Sequence, residues 1–317
     1  MPGKAFWSLG VFLALLLVGC GGAPPTARPS PTLAAGPIRP PAVAGQFYPA
    51  DPGQLAAMVD GFLEGIEPTP GRPIGLIVPH AGYIYSGPVA AYAYAELRGL
   101  HYDAVILIGP NHRLADFTGI GVYPAGAFQT PLGTVPVDAE LARAILEADP
   151  SFQSDPQLHA LEHSLEVQLP FLQRVLPDTP IVPILIGMPT QENARALTAA
   201  LSRVLPGCNV LLIGSTDLSH YPPYEEAVRV DQALLAAIAT LDVGEFRREA
   251  ARSMSLGIPN LQTPCCGQQA VAVVMEVSRV LGADRATILH YANSGDVPEG
   301  RRDQVVGYGA VKFWASK

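Results

Sequence analysis

Short apolar, β-branched runs alternate along this chain with segments of helical periodicity. That alternation is the pattern of an α/β domain built on a mainly parallel sheet. The runs Ile74–Pro79, Ala104–Ile108, Gly119–Tyr123, Ile181–Ile186, Val210–Ile213, Thr287–Tyr291 and Val305–Phe313 read as strands. Several are apolar on both faces, as a sheet flanked by helices on both sides requires. Helical patterns fill the gaps at Pro52–Leu63, Pro88–Arg98, Ala139–Glu147, Leu161–Val175, Gln191–Val204, Glu225–Thr240 and Gly267–Val280. Asp51 before Pro52 is an N-cap followed by a proline at the first helical position, and Asp138 caps the third segment in the same way. Pro170 lies inside the pattern Leu161–Val175 and predicts a kink or a split there.

The chain has 317 residues, of which 49% are hydrophobic and 15% charged, enough for one large α/β domain or two small ones. No internal repeat and no second linker appear, so a single domain over residues 38–317 is expected. The net charge is -8 and no Lys/Arg block occurs, which argues against an electrostatic grip on nucleic acid. No glycine pattern reads as GxGxxG after a strand or as GxxxxGK[ST], so a nucleotide cofactor is unsupported. GxSxG is absent too, which weighs against an α/β-hydrolase.

The N-terminus reads as a targeting segment. Lys4 supplies a positive start and Val11–Gly19 a continuous apolar run, shorter than the ~20 residues a spanning helix needs. Leu17-Val18-Gly19-Cys20 resembles a bacterial lipobox. That resemblance implies a signal peptide over 1–19, a lipid on Cys20, a membrane partner and an extracytoplasmic location. The bland alternatives are an uncleaved anchor or an ordinary signal cut near Cys20. Seven of the 32 prolines fall between Pro24 and Pro41. Residues 20–37 therefore read as an extended tether with no core of its own. Cys208, Cys265 and Cys266 remain, too few for a disulfide framework. A Cys208–Cys265 bridge would leave Cys266 free, and a Cys265–Cys266 bridge would be strained.

Three of five polar clusters sit where predicted strands end, which is where open α/β sheets bind ligands. His80 follows the first strand, with Tyr83 and Tyr85 nearby as rim hydroxyls. His112 follows the second strand through Gly109-Pro110-Asn111. Either histidine alone reads as a buried ring bonded to a carbonyl; two at neighbouring strand ends read as ligands. Asp217, Ser219 and His220 follow Val210–Ile213. Asp217 can donate a carboxylate to a metal, orient His220 as an acid/base three residues on in a helical turn, or merely cap a helix. His163, with Glu162 and Glu166, lies in a predicted first helical turn. It suits either the surroundings of a metal or simply the helix dipole. Cys266 precedes a helix, a position that favours thiolate, although a small buried thiol is its bland reading. Asn293 and Asp296, in Asn293-Ser294-Gly295-Asp296, line the same crevice or form a turn.

Taken in order, Arg39–Pro49 (RPPAVAGQFYP), PHAGY, GPNH, EHSLEVQLPF, STDLSH, the Cys266-Gly267 pair, NSGD and the GYGAV segment at Gly307 resemble the Memo family, the AmmeMemoRadiSam system protein B group. The resemblance covers essentially the whole domain. It implies a fold like that of class III extradiol dioxygenases, which hold non-haem iron at strand ends. By motif match it implies a metal site of His80, His112 and Cys266, with Asp217 and His220 in an acid/base role. The dioxygenases use a carboxylate where Cys266 stands, and a thiolate favours copper or zinc over iron. Gln268-Gln269 is a second departure, bearing on ligand choice. Two functions follow as expectations: a metal-dependent oxidoreductase using one iron, copper or zinc ion, or a non-catalytic protein that captures a peptide, a small molecule or a metal ion. Zinc hydrolysis lacks an HExxH-type base.

Overall fold

Four strands whose residues are nearly all buried form the middle of the molecule, and their apolar sequences leave no solvent face to present. The computed structural model describes residues 1, 3, 35–298 and 300–316, so the signal segment, Cys20 and most of the tether lie outside the described residues. The strands are β1 (Ile38–Arg39), β2 (Pro73–Val78), β3 (Ala104–Pro110), β4 (Ile120–Val122), β5 (Ala127–Thr130), β6 (Gly133–Pro136), β7 (Ile181–Ile186), β8 (Val210–Ser215), β9 (Arg285–Asn293) and β10 (Gly307–Trp314). The helices are α1 (Pro52–Leu63), α2 (Tyr83–Ala95), α3 (Ala139–Ala148), α4 (Leu169–Val175), α5 (Gln191–Val204), α6 (Tyr224–Ala239), α7 (Val243–Ser255) and α8 (Gln268–Val280).

The main sheet has seven strands in the order β4-β7-β3-β8-β2-β10-β9. β7, β3, β8 and β2 are mutually parallel, while β4, β10 and β9 join antiparallel at the two sides. The result is a mixed sheet with a parallel centre. β4 stops at Val122 opposite Ile184. The next partner, Pro183, has no N–H with which to continue the ladder. α2, backed by α1 and α4, packs on β2, β9 and β10. α6 and α8 take the other face of those strands, where Tyr291 reaches Asp231 and a Cβ on Gly75 would strike Ser278 and Val274. β1, β5 and β6 form a small separate sheet. Pro37 joins it by accepting the N–H of Ala127, so the packed chain reaches one residue into the expected tether.

α1, α5 and β7 coincide with their predicted spans. α2 starts five residues before Pro88, which lies inside its first turns. The predicted helix Leu161–Val175 is split as Pro170 implies: residues 160–165 are irregular, Glu166–Gln168 is a 3-10 turn, and α4 follows. α7 and the β5–β6 hairpin were not expected. Cys208, Cys265 and Cys266 are all free thiols. Among the described residues no helix is long and apolar enough to cross a membrane.

Candidate metal centre

At the carboxyl ends of β2 and β3, three imidazoles converge. His80, His112 and His163 each place a ring nitrogen within 4.8 Å of the others. Ring centroids are 5.1 Å apart for His80–His112, 5.5 Å for His80–His163 and 4.7 Å for His112–His163. His80 is buried, while 29% of the His112 side chain is exposed, so the group opens to solvent on the His112 side.

The surrounding hydrogen bonds fix which nitrogen each ring offers. Ser215 Oγ donates its one proton to the Ser164 carbonyl (2.6 Å) and accepts from Gln168 Nε2 (2.9 Å). It can only accept from His80 Nδ1, 2.9 Å away, so His80 carries its proton on Nδ1 and has a free lone pair on Nε2. Gln168 is itself oriented by Tyr94, whose hydroxyl donates to Oε1 (2.7 Å). Glu162, acceptor-only when ionised, holds His112 Nδ1 at 2.9 Å and so frees that ring's Nε2 as well. His163 Nδ1 lies 3.2 Å from the same carboxylate oxygen but off the line of a hydrogen bond, which leaves it buried without a hydrogen-bond partner.

Burial, joined by the His112 ring, lowers the His80 pKa well below the usual imidazole value. Burial and the neighbouring His80 lower His163 to about 3. Both rings are therefore neutral at physiological pH, the form that ligates metal. Lone pairs held ready by a hydroxyl behind His80 and a carboxylate behind His112 match how proteins prepare imidazole ligands. The donor set fits one transition-metal ion.

Cys266 Sγ lies 3.2 Å from His80 Nε2. Gly267 permits this approach, since a Cβ there would sit 2.6 Å from the Ser215 carbonyl oxygen. Cys266 touches His80 but falls outside the three-nitrogen group, where His163 takes the third place. The thiolate expected at this helix start is not favoured by the surroundings. Burial, then the Asp217 carboxylate, push the thiol well above its ordinary value. The thiol proton points the interaction toward the His80 Nε2 lone pair.

The expected Asp217–His220 pair is not formed. Residues 216–219 have no helical turn, and no hydrogen bond or ion pair joins the two side chains, although His220 still acts across space to oppose the rise in the Asp217 pKa. Asp217 Oδ1 accepts the His80 backbone N–H at 2.7 Å, and burial raises its carboxyl pKa. His220 Nδ1 is instead held by the Leu218 carbonyl at 2.9 Å, which leaves its Nε2 as the proton-accepting atom. Tyr83 is core rather than rim: it is 2% exposed and its hydroxyl donates to the Val167 carbonyl. Tyr85, one turn into α2, is 40% exposed. Asn293 and Asp296 close a turn: Asp296 accepts from the Asn293 N–H and the Tyr224 hydroxyl. Phe47, not singled out by the sequence, packs on His163 with ring centroids 4.7 Å apart.

Fold and site together define an α/β protein whose strand ends gather three imidazoles that could hold a metal ion. The model of the Memo family, described as Memo-like protein, matches residues 39–312, and the chain belongs to that family. It is 38% identical over 297 residues to a MEMO1 family protein of Desulfurococcus amylolyticus, covering 87% of this chain and 99% of the relative. It is 40% identical over 295 residues to one of Ignicoccus hospitalis, covering 87% and 98%. A third, of Aquifex aeolicus, is 39% identical over 282 residues, covering 87% and 99%. Among solved structures, an uncharacterized protein of Escherichia coli K12 aligns over 76% of this chain and all of its own, with a TM-score of 0.49 and 15% identity.

Proposed function

We propose that this protein is a metal-dependent oxidoreductase whose ion is held by His80, His112 and His163, with the Cys266 thiol beside His80. The observation that carries the proposal is the fixed tautomer of two of the three rings. Ser215 and Glu162 leave the Nε2 atoms of His80 and His112 with lone pairs, the first met only by the Cys266 thiol, whose proton a bound ion would displace. Bound iron or copper would supply Lewis acidity and redox chemistry at that point. His220 is the proton acceptor of the site, oriented by the Leu218 carbonyl, and Asp217 serves the His80 backbone. The partly exposed side of His112 is where a small organic substrate would enter.

A second reading, capture of a metal or ligand without chemistry, is favoured by the missing Asp217–His220 bond. Metal analysis of the protein isolated from its own compartment, paired with His80→Ala, tests the ion. Aerobic turnover assays on wild type and His220→Gln then separate the readings. Metal at full occupancy in His80→Ala removes the site; metal without turnover leaves capture.

The proposal extends to location. Lipid on Cys20 would anchor the domain outside the cytoplasm through the proline-rich tether. Cys20→Ser is expected to release the protein from the membrane fraction, and a wild type already soluble there would refute the anchor.

A further inference from the structure

Beside His220 lies a hollow of about 340 Å³ lined by Tyr221, Asn260, Leu261, Gln262 and Gln304. Among the described residues, the three carboxamides and the Tyr221 hydroxyl make no side-chain hydrogen bond, so their donors and acceptors are free for a ligand. The hollow carries no charge. The charged residues just before Gln304 in the chain are engaged elsewhere: Arg301 pairs with Asp303 at 2.6 Å, and Arg302 lies over the Tyr224 ring at 4.2 Å.

Tyr221 has φ +68°, a left-handed conformation that a bulky side chain adopts at a cost. The backbone enforces it: Tyr221 donates to the Val305 carbonyl at 2.7 Å and Val305 donates to Pro222 at 3.0 Å. The strained turn leaves the Tyr221 ring 40% exposed at the hollow, 5.6 Å from the His220 ring. Strain of this kind gathers at ligand clamps.

The chemistry of the lining selects among ligands. A carboxamide offers one acceptor and two donors side by side, the complement of two adjacent hydroxyls, each donor and acceptor at once. An exposed phenol ring adds an amphipathic surface for a C–H face. Strand addition, the main-chain mode of peptide capture, is closed off here. The local backbone groups are spent in His220 N–H to Thr263, Gln262 N–H to His220 and Tyr221 N–H to Val305.

We infer that this hollow is a subsite for a neutral sugar, the polyhydroxylated part of a substrate whose reacting end lies toward His220. The inference deepens the proposed function and takes from it only that His220 faces the substrate.

The test is titration of the full-length chain with maltotriose and chitotriose, and with glucuronate as the charged comparison, followed by NMR. Saturable shifts confined to residues 220–221, 260–262 and 304, with glucuronate weaker, are the expected result. Gln262→Ala with Gln304→Ala should weaken binding at least fivefold while metal content and melting temperature stay at wild type. Gln262→Glu, which keeps the volume, should weaken it as well. Absence of saturable shifts with both trisaccharides, shifts mapping elsewhere, or equal binding of glucuronate would overturn the subsite. His80→Ala should bind sugar as wild type does, so failure of the metal reading and failure of the subsite are read separately.

Discussion

Glu162 grips His112 with both carboxylate oxygens: Oε2 accepts the backbone N–H at 2.5 Å while Oε1 stands 2.9 Å from Nδ1. The same Oε1 accepts the N–H groups of His163 and Ser164, each at 2.9 Å. One buried carboxylate therefore sets the tautomer of one candidate ligand and the loop that carries another. Burial alone would raise its pKa. The hydrogen bonds from the His112 ring and backbone N–H, with the electrostatic pull of the two imidazoles, outweigh that and hold it down to about 2.

Glu162→Gln keeps the shape but turns an amide N–H toward a donor that needs an acceptor. Metal affinity is expected to fall roughly 10- to 100-fold, the usual effect of losing a partner behind an imidazole ligand. Competition with a chelator of known affinity measures it, and an unchanged affinity would show that Glu162 does not organise the site.

His163 and Cys266 differ in their expected contributions. Only the histidine belongs to the three-nitrogen group, so His163→Ala should lose stoichiometric metal. Cys266→Ser should keep close to one equivalent but change the absorption of a copper-loaded sample, because the sulfur stands 3.2 Å from the His80 nitrogen. Should the two variants behave the other way round, the ion sits on Cys266 and the imidazole group is not its cage.

The sheet was legible because its centre is written twice. β3, β7 and β8 are apolar runs bounded by turn residues, and strand-end placement then brings His80 and His112 to one edge. Less visible were elements with weak local patterns. α7 buries only Val243, Phe246, Ala250 and Ser253 along 13 residues, and β5 and β6 span four residues each. His163 was read on a helix, yet Glu166 is drawn away to Arg39, its Oε2 2.6 Å from the guanidinium. The roles of Ser215 and Gln168 depend on residues 47 to 135 positions away, which no local spacing encodes. The Glu162-His163 dipeptide was the one local signal of the shared carboxylate.

Asp231 gives a pH dependence separate from the metal centre. It accepts from the Ser219 N–H and hydroxyl and from Tyr291, and burial, opposed by those bonds, raises it to about 7. The folded value exceeds the unfolded one. Its contribution to stability is therefore complete below about pH 4 and lost as pH rises through about 7. A difference of about 3 pH units corresponds to roughly 4 kcal/mol at most. Urea unfolding at pH 4.5 and 7.5 should show that slope in wild type and a flatter one in Asp231→Asn; parallel slopes would refute it.

Two buried cations offer a matched comparison. Lys312 reaches Glu96 at 2.7 Å and the carbonyls of Thr69, Pro70 and Gly71, away from the site. Arg39 pairs with Glu166 at 2.6 Å, and also donates to the carbonyls of His159 at 2.7 Å and Glu162 at 2.5 Å. Removing either cation strands a buried carboxylate, which costs about 3–5 kcal/mol. Lys312→Met and Arg39→Met should lose similar stability in urea. Only Arg39→Met should also weaken metal binding, because only Arg39 anchors the loop that bears Glu162 and His163. Equal loss of metal in both variants would mean that the ion responds to global stability and that the N-terminal segment has no special hold on the site.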